Sequence, residues 1–74
     1  MTFGERIKSI RKKKNITQAE LGRRMGISQQ TIAKYEKAVE QPKYKTVVKL
    51  ARALDVSLAE LTSDTSFSSV IQFF

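Results

Sequence analysis

The sequence contains no cysteine and no histidine, and each absence excludes a kind of site. Without cysteine there is no disulfide scaffold and no thiolate metal site. Without histidine the chain lacks the commonest general base and the commonest transition-metal ligand. No nucleophile paired with a base is visible either. We therefore predict a protein that is not an enzyme and that uses no metal and no cofactor.

Proline, glycine and long apolar runs are also scarce. The chain has one proline and three glycines in 74 residues, which favours helices over a protein of strands and turns. No apolar run approaches the roughly 18 residues that a membrane-spanning helix needs, and the first residues do not follow a signal-peptide pattern. We expect one small soluble cytoplasmic domain without a membrane partner, and no site for a small-molecule ligand is evident.

Positive charge dominates the chain and is unevenly distributed. All fourteen lysines and arginines lie at or before Arg52, beside four of the seven acids, so residues 1–52 carry a net charge of +10. Residues 53–74 hold the other three acids and no base, and carry −3. A basic body of this size favours a polyanionic partner, because neutralised phosphates release condensed counterions. Charge kept only for solubility is the alternative.

Capping signals and hydrophobic periodicity together predict five short helices and an all-α fold. Residues 2–5, 17–20 and 57–60 have the pattern of capping boxes, which open the first, second and fifth helices. Ser28 is the predicted cap of the third helix, and the fourth follows Pro42. Apolar residues recur at helical spacing after these starts: Phe3, Ile7, Ile10, Leu21, Met25, Ile32, Tyr35, Val47, Leu50, Ala51, Leu54 and Leu61.

The second and third predicted helices are joined by a very short connection around Gly26 and Ile27. Two short helices with a tight, glycine-containing turn form a helix-turn-helix, whose second helix can enter the major groove of DNA. We expect Gly22 to be small where the helices cross, and Gly26 to adopt a left-handed turn conformation. The predicted inward face is Leu21, Met25, Ile27, Ile32 and Tyr35, and the predicted outward face is Gln29, Gln30, Ala33 and Lys34.

Motifs spread along residues 3–61 give the chain a family resemblance. They are Ile10-Arg11, Thr17-Gln18-Ala19-Glu20-Leu21, Gly26-Ile27-Ser28, Thr31-Ile32, Tyr35-Glu36, Pro42 and Leu54-Asp55-Val56-Ser57. In these motifs the chain resembles the lambdoid-repressor-like family, the Cro/repressor type of helix-turn-helix domain. The resemblance implies a compact five-helix DNA-binding domain over residues 1–61 and a separate tail over residues 62–74.

The same resemblance implies a function. We expect a sequence-specific transcriptional regulator, in the first instance a repressor, that binds double-stranded operator DNA and is associated with the nucleoid. The alternative is a protein-interaction module of the same fold, antitoxin-like or regulator-binding, in which DNA binding is secondary.

Candidate DNA contacts follow from helix geometry together with the resemblance. Gln29 and Gln30 begin the predicted recognition helix, and a glutamine amide can form a bidentate pair with adenine. Thr31 and Lys34 are further candidates for base contacts. Phosphate contacts are expected from Thr17, Gln18, Ser28, Lys37, Lys43 and Lys45. For a glutamine or lysine taken singly, a solvated surface role is the alternative.

Two further positions carry expectations about helix three. The resemblance implies an ion pair between Arg11 and Glu36 that holds helix one against helix three, and a planar guanidinium suits such a pair. The family often has Asn-Gly after this glutamate, where the chain has Lys37-Ala38. A left-handed alanine would cost about 1 kcal/mol, so helix three is expected either to continue or to end differently.

The tail ends in an apolar cluster. Phe67, Val70, Ile71 and Phe74 have the spacing of one helical face, yet their composition suits a strand equally well. With Phe73, they are candidate contacts of a homodimer, because helix-turn-helix proteins commonly bind two half-sites about 34 Å apart as twofold dimers. Folding back onto the domain's own core is the third alternative.

Overall fold

The computed structural model describes residues 1–62, and these form five α-helices. In chain order they are α1 (Phe3–Lys13), α2 (Gln18–Met25), α3 (Gln29–Glu36), α4 (Tyr44–Leu54) and α5 (Leu58–Thr62). No strand occurs in this range, so the predicted all-α fold with five helices is confirmed. None of these helices is long and apolar enough to cross a membrane.

Side-chain caps set the starts of α1 and α5, as the sequence predicts. The Thr2 hydroxyl accepts a hydrogen bond from the Glu5 N–H at 3.1 Å, and the Glu5 carboxylate accepts one from the Thr2 N–H at 2.8 Å. Ser57 and Glu60 exchange the same two bonds, at 3.1 and 3.5 Å. Each box satisfies two of the N–H groups that a helix start leaves without partners.

The predicted capping box of α2 is wrong in its second half. The Thr17 hydroxyl does accept the Glu20 N–H, at 3.0 Å. The Glu20 carboxylate, however, accepts hydrogen bonds from Arg23 and Arg24, each at 3.1 Å from the arginine Nε. Two arginines one turn further along the helix therefore outcompete the backbone N–H, because a guanidinium makes a charge-assisted hydrogen bond.

All five helices contribute to one hydrophobic core. Its fully buried side chains are Ile7, Leu21, Ile32, Val47, Leu50, Leu54 and Leu61, which are among the periodic residues of the sequence. Met25, Ile27 and Tyr35, also predicted to face inward, are partly buried against this core. The α2–α3 pair packs closely, α1 packs on α3 and α5, and α4 packs on α2 and α5. The core thus fixes α3 from one side only.

Helix α3 ends without a left-handed residue at Lys37 or Ala38. Its last helical residue is Glu36, its C-cap Lys37 has φ −95° and ψ −5°, and the Ala38 N–H donates to the Tyr35 carbonyl at 3.1 Å. The left-handed non-glycine residues in the described range are Asn15 and Asp55, at φ 58° and 57°. Helix three therefore ends differently, without a left-handed residue and without its strain.

At Gly4 the start of α1 lies very close to the main chain of α3, a contact that the sequence does not reveal. A Cβ at this position would lie 2.5 Å from the Glu36 carbonyl carbon and 2.6 Å from the Tyr35 carbonyl oxygen. The Gly4 N–H donates to the Ala38 carbonyl at 3.0 Å. The start of α1 therefore lies directly on the C-terminal end of α3, and this contact needs a residue without a side chain.

We predict that Gly4→Ala destabilises the domain by more than about 2 kcal/mol, because main-chain atoms of α3 would have to move. Gly26→Ala is the matched control: its φ is +70° but nothing lies within 4 Å of the added Cβ, so about 1 kcal/mol of conformational strain is expected. Urea unfolding followed by circular dichroism gives both values. Equal losses would contradict the close approach at Gly4.

Candidate nucleic-acid interface

The connection between α2 and α3 consists of Gly26, Ile27 and Ser28. Gly26 has φ 70° and ψ 30°, in the left-handed region, and the Ile27 N–H donates to the Gly22 carbonyl at 2.9 Å. A Cβ on Gly22 would lie 2.7 Å from the Ile27 carbonyl oxygen. Both glycines therefore have the roles expected from the sequence: one allows the turn, and the other lets the turn lie directly on α2.

The N-terminus of α3 is capped but carries no acidic side chain. The Ser28 hydroxyl accepts the Thr31 N–H at 3.1 Å and is also hydrogen-bonded to the Thr31 hydroxyl, at 2.9 Å. The first turn of α3 contains no acid, unlike the first turns of α1, α2 and α5. No acidic side chain in this turn therefore neutralises the partial positive charge of the helix end, where an anion would be stabilised.

The outer surface of α3 consists of polar and basic side chains. Gln29, Gln30, Lys34 and Lys37 are exposed, and the last three are spaced i, i+4 and i+7, so they follow one line along the helix. Thr31 is half-buried, with its hydroxyl engaged by Ser28. We call Gln29, Gln30 and Lys34 the α3 reading face: these three predicted base contacts are exposed together, whereas Thr31 does not present a free hydroxyl.

Behind this face, Arg11 and Glu36 form a buried bidentate ion pair. The Arg11 Nε donates to one carboxylate oxygen at 2.6 Å and the Nη2 donates to the other at 3.2 Å. The two side chains are only 9% and 4% exposed. The remaining Nη1 of Arg11 donates to the Ile16 carbonyl at 2.8 Å. One guanidinium therefore joins α1, the α1–α2 loop and α3.

Gln18, predicted only as a phosphate contact, connects this ion pair to the α3 reading face. Its Nε2 donates to the Glu36 carboxylate at 3.0 Å, and its Oε1 accepts a hydrogen bond from the Gln29 Nε2 at 3.5 Å. The side chain is half-buried. A polar chain thus runs from Arg11 through Glu36 and Gln18 to Gln29, and we call it the Arg11–Gln29 network. Sequence reasoning missed it, since Gln18 and Gln29 are adjacent only because of the angle at which α2 meets α3.

The other predicted phosphate contacts fall into two groups. Thr17 and Ser28 are exposed helix caps whose hydroxyls already accept backbone N–H groups. Lys37, Lys43 and Lys45 are exposed and lie on either side of the α3–α4 loop. Lys43 is the N-cap residue of α4, which has no side-chain cap and no acid in its first turn. Two lysines are therefore added to a helix N-terminus that is already electropositive.

Several other basic residues have structural partners. The Lys14 Nζ donates to the Asp55 carbonyl at 2.9 Å, and the Arg24 Nη1 donates to the Ala53 carbonyl at 2.9 Å. Both satisfy carbonyls around the C-terminal end of α4, where cations are favourable. Arg23 and Arg24, to which the sequence assigned no DNA contact, also bind Glu20 and lower the pKa of its carboxyl group.

Two helices that meet at a left-handed glycine, the second with an exposed polar face and a buried anchor, define a helix-turn-helix module. Within residues 1–62, no group of three or more acidic side chains is arranged to hold a metal ion. The chain belongs to the helix-turn-helix family HTH_3, whose family model matches residues 7–61.

Curated relatives support this assignment along most of the chain. The chain is 36% identical over 70 residues to the uncharacterized HTH-type transcriptional regulator YqaE of Bacillus subtilis, covering 95% of this chain and 60% of that protein. It is 36% identical over 63 residues to the cryptic phage CTXphi transcriptional repressor RstR of Vibrio cholerae, covering 85% and 57%. The chain therefore spans somewhat more than half the length of these relatives.

A solved structure agrees with the fold. The c2 repressor protein of phage P22, crystallised in complex with a synthetic operator, superposes with a TM-score of 0.72 at 35% sequence identity. The match covers 85% of this chain and 96% of that one. The predicted resemblance to the Cro/repressor type of domain is confirmed.

We predict that Glu36→Gln lowers the free energy of unfolding by about 3–5 kcal/mol, because it leaves the buried Arg11 guanidinium without its counter-charge. Glu20→Gln, which removes a carboxylate that pairs with arginines on the surface of α2, is the matched control and should have a far smaller effect. Thermal and urea unfolding of both variants measure this difference. If the two variants were equally stable, the Arg11–Glu36 pair would not be holding the helices together.

The surface carboxylates give a prediction about pH. Hydrogen bonds from the Thr2 backbone and hydroxyl groups lower the pKa of Glu5, and hydrogen bonds from Arg23 and Arg24 lower the pKa of Glu20. Each carboxylate therefore adds stability that is present above its unfolded pKa, about 4.3, and is lost as the pH falls through its folded pKa. Both side chains are near solvent, so the loss is expected to be small.

The measurement is an NMR titration of the side-chain carboxyl carbons. We expect the midpoints of Glu5 and Glu20 to lie below about 4.3. A Glu20 midpoint at or above that value would contradict the paired arrangement with Arg23 and Arg24.

Proposed function

We propose that the chain is the sequence-specific DNA-binding module of a transcriptional regulator, and that α3 enters the major groove of double-stranded operator DNA. The observation that supports this best is the α3 reading face, which is exposed on a helix that the core and the Arg11–Gln29 network hold in place. The repressor RstR and the operator-bound c2 repressor, both similar to this chain, support the same function.

Base recognition is assigned to the glutamines and to Lys34. A glutamine amide can donate to N7 or O6 of guanine. It can also form a bidentate pair with adenine, in which it donates to N7 and accepts from N6. Gln29 is directed by its bond to Gln18, whereas Gln30 projects freely from the first turn. Lys34 lies one turn further along α3, and we assign it a contact to guanine. We expect Thr31 to contribute less than these three, through its methyl group.

Phosphate binding is assigned to both sides of the α3 reading face. On one side, the start of α2 and the Thr17, Gln18 and Ser28 side chains can contact one strand. On the other side, Lys37, Lys43 and Lys45 supply positive charge around the α3–α4 loop. The charge of +10 on residues 1–52 gives a field that attracts DNA before specific contacts form.

Two copies of the chain are proposed to act together on a twofold-symmetric operator. A single recognition helix contacts only a few base pairs, so a dimer that binds two half-sites about 34 Å apart gains both affinity and specificity. Occupation of the operator would exclude polymerase sterically, which is the simplest form of repression. Phe67, Val70, Ile71, Phe73 and Phe74, predicted from the sequence as dimer contacts, lie outside the described residues.

Selection of bound sites from random duplexes tests the proposed function. We expect an enriched palindrome whose half-sites contain adenine and are spaced about 10 base pairs centre to centre. Binding to the selected duplex should survive competitor DNA and weaken steeply with salt. If no sequence were enriched, the protein-interaction module of the same fold would be the better account.

Single substitutions separate the two classes of contact. Gln29→Ala and Gln30→Ala should each cost about 1–3 kcal/mol on the selected site and relax the preference at one base position. Lys43→Ala or Lys45→Ala should weaken binding to all sequences alike and reduce the salt slope by about 1. Fluorescence anisotropy over a salt series measures both effects.

Arg52→Ala is the matched control for the lysines. Arg52 is an exposed cation on the same helix as Lys45, about 14 Å from Lys43 along α4. Removing it should leave the salt slope almost unchanged. A slope reduced as much as in Lys43→Ala would mean that the overall charge binds DNA, without a defined phosphate site at the start of α4.

A further inference from the structure

An open groove lies between the start of α1, the α3–α4 loop and α5. Met1 and Val39, which are 80% and 72% exposed, both line it, and the described part of the chain has only one other large apolar side chain so exposed, Tyr44. Phe3 and Leu61 form part of its lining and continue into the core. Two exposed apolar side chains in one groove, beside the polar Thr2, Gln41 and Thr62, favour an occupant that covers them.

The charge of the groove does not suit a polyanion. Arg6 and Glu40, of opposite sign, both line it, although residues 1–52 as a whole carry +10. The side chains that line the groove therefore carry no net charge, although the domain is strongly basic. DNA and acidic segments would be attracted to other surfaces, so an apolar occupant with little charge fits best.

The segment 63–74 has this composition and begins at the groove. It contains one charged residue, Asp64, beside the apolar cluster Phe67, Val70, Ile71, Phe73 and Phe74. Thr62, after which the segment starts, itself lines the groove. The five residues from Thr62 to Phe67 span at most about 18 Å. A short tether of this length gives an effective concentration in the millimolar range, far above that of a second copy in dilute solution.

We propose that residues 63–74 fold back on their own chain and occupy this groove, where their apolar side chains cover Met1 and Val39. The Gly4 N–H already joins the start of α1 to the α3–α4 loop through the Ala38 carbonyl, and the segment adds a second connection between the same elements. It thereby steadies the loop that leads to Lys43. This arrangement does not depend on DNA binding.

A double-mutant cycle in the full chain tests the proposal. Val39→Ser changes a side chain that is exposed in the described structure, so it should be neutral unless another segment covers it. We expect it to lower the folding equilibrium constant about tenfold. In a background with Phe67, Val70, Ile71 and Phe74 all replaced by Ser, the same change should have no effect. Equal effects in both backgrounds would overturn the proposal.

Tyr44→Ser is the matched control, because Tyr44 is 71% exposed but lies at the start of α4 and does not line the groove. It should behave alike in both backgrounds. The cycle is measured at two protein concentrations about a hundredfold apart. If the coupling energy between Val39 and the segment rises with protein concentration, the segment binds a second copy. That result would overturn the intramolecular arrangement.

The absence of native cysteine allows a direct check of the same contact. Under mild oxidation, the Val39→Cys, Phe67→Cys double variant should form a disulfide within one chain and migrate as a monomer on a non-reducing gel. The Tyr44→Cys, Phe67→Cys variant is the reference for chance encounters. Disulfide-linked dimers, or a rate no faster than the reference, would contradict the proposal.

Discussion

The buried ion pair between Arg11 and Glu36 joins α1, the α1–α2 loop and α3. Burying two charges is costly, and the cost is offset only if every donor and acceptor finds a partner. Each of the three guanidinium nitrogens of Arg11 has an acceptor, either a Glu36 oxygen or the Ile16 carbonyl. Within residues 1–62 no buried side-chain nitrogen or oxygen lacks a hydrogen bond. Because Gln18 binds the same carboxylate and also Gln29, the pair that holds α1 to α3 also orients the proposed base-reading side chain.

Some basic residues of the domain bind groups within the domain, and others are exposed to solvent. Lys14 and Arg24 satisfy carbonyls near the end of α4, and Arg11 is buried. Lys34 and Lys37 lie near the C-terminal end of α3, and Lys43 and Lys45 lie at the N-terminus of α4, whose first turn has no acid. Lys34 and Lys37 thus carry positive charge along α3, and Lys43 and Lys45 carry it at the start of α4, which the net charge alone does not reveal.

Sequence reasoning succeeded where a feature depends on neighbouring residues. The Thr2 and Ser57 capping boxes and the left-handed turn at Gly26 follow from local backbone requirements, and the structure has them. It missed two contacts that depend on packing between helices: the contact of Gly4 with α3, and the bridge made by Gln18. The Arg11–Glu36 pair, which also joins two helices, was expected only from the family resemblance. Glu20 shows a third case, in which two nearby arginines compete with a predicted cap. The DNA contacts and the role of residues 63–74 stay predictions.

We propose that the buried ion pair orients Gln29 through Gln18, and that Gln29 and the neighbouring Gln30 contact the bases of a duplex. The most direct measurement is NMR of the glutamine side-chain amides, recorded free and bound to a duplex selected for tight binding. We expect the amide protons of Gln29 and Gln30 to shift strongly and to show intermolecular contacts to major-groove protons, and those of Gln41, exposed in the α3–α4 loop, to show neither. Unchanged Gln29 and Gln30 resonances in a saturated complex would contradict it.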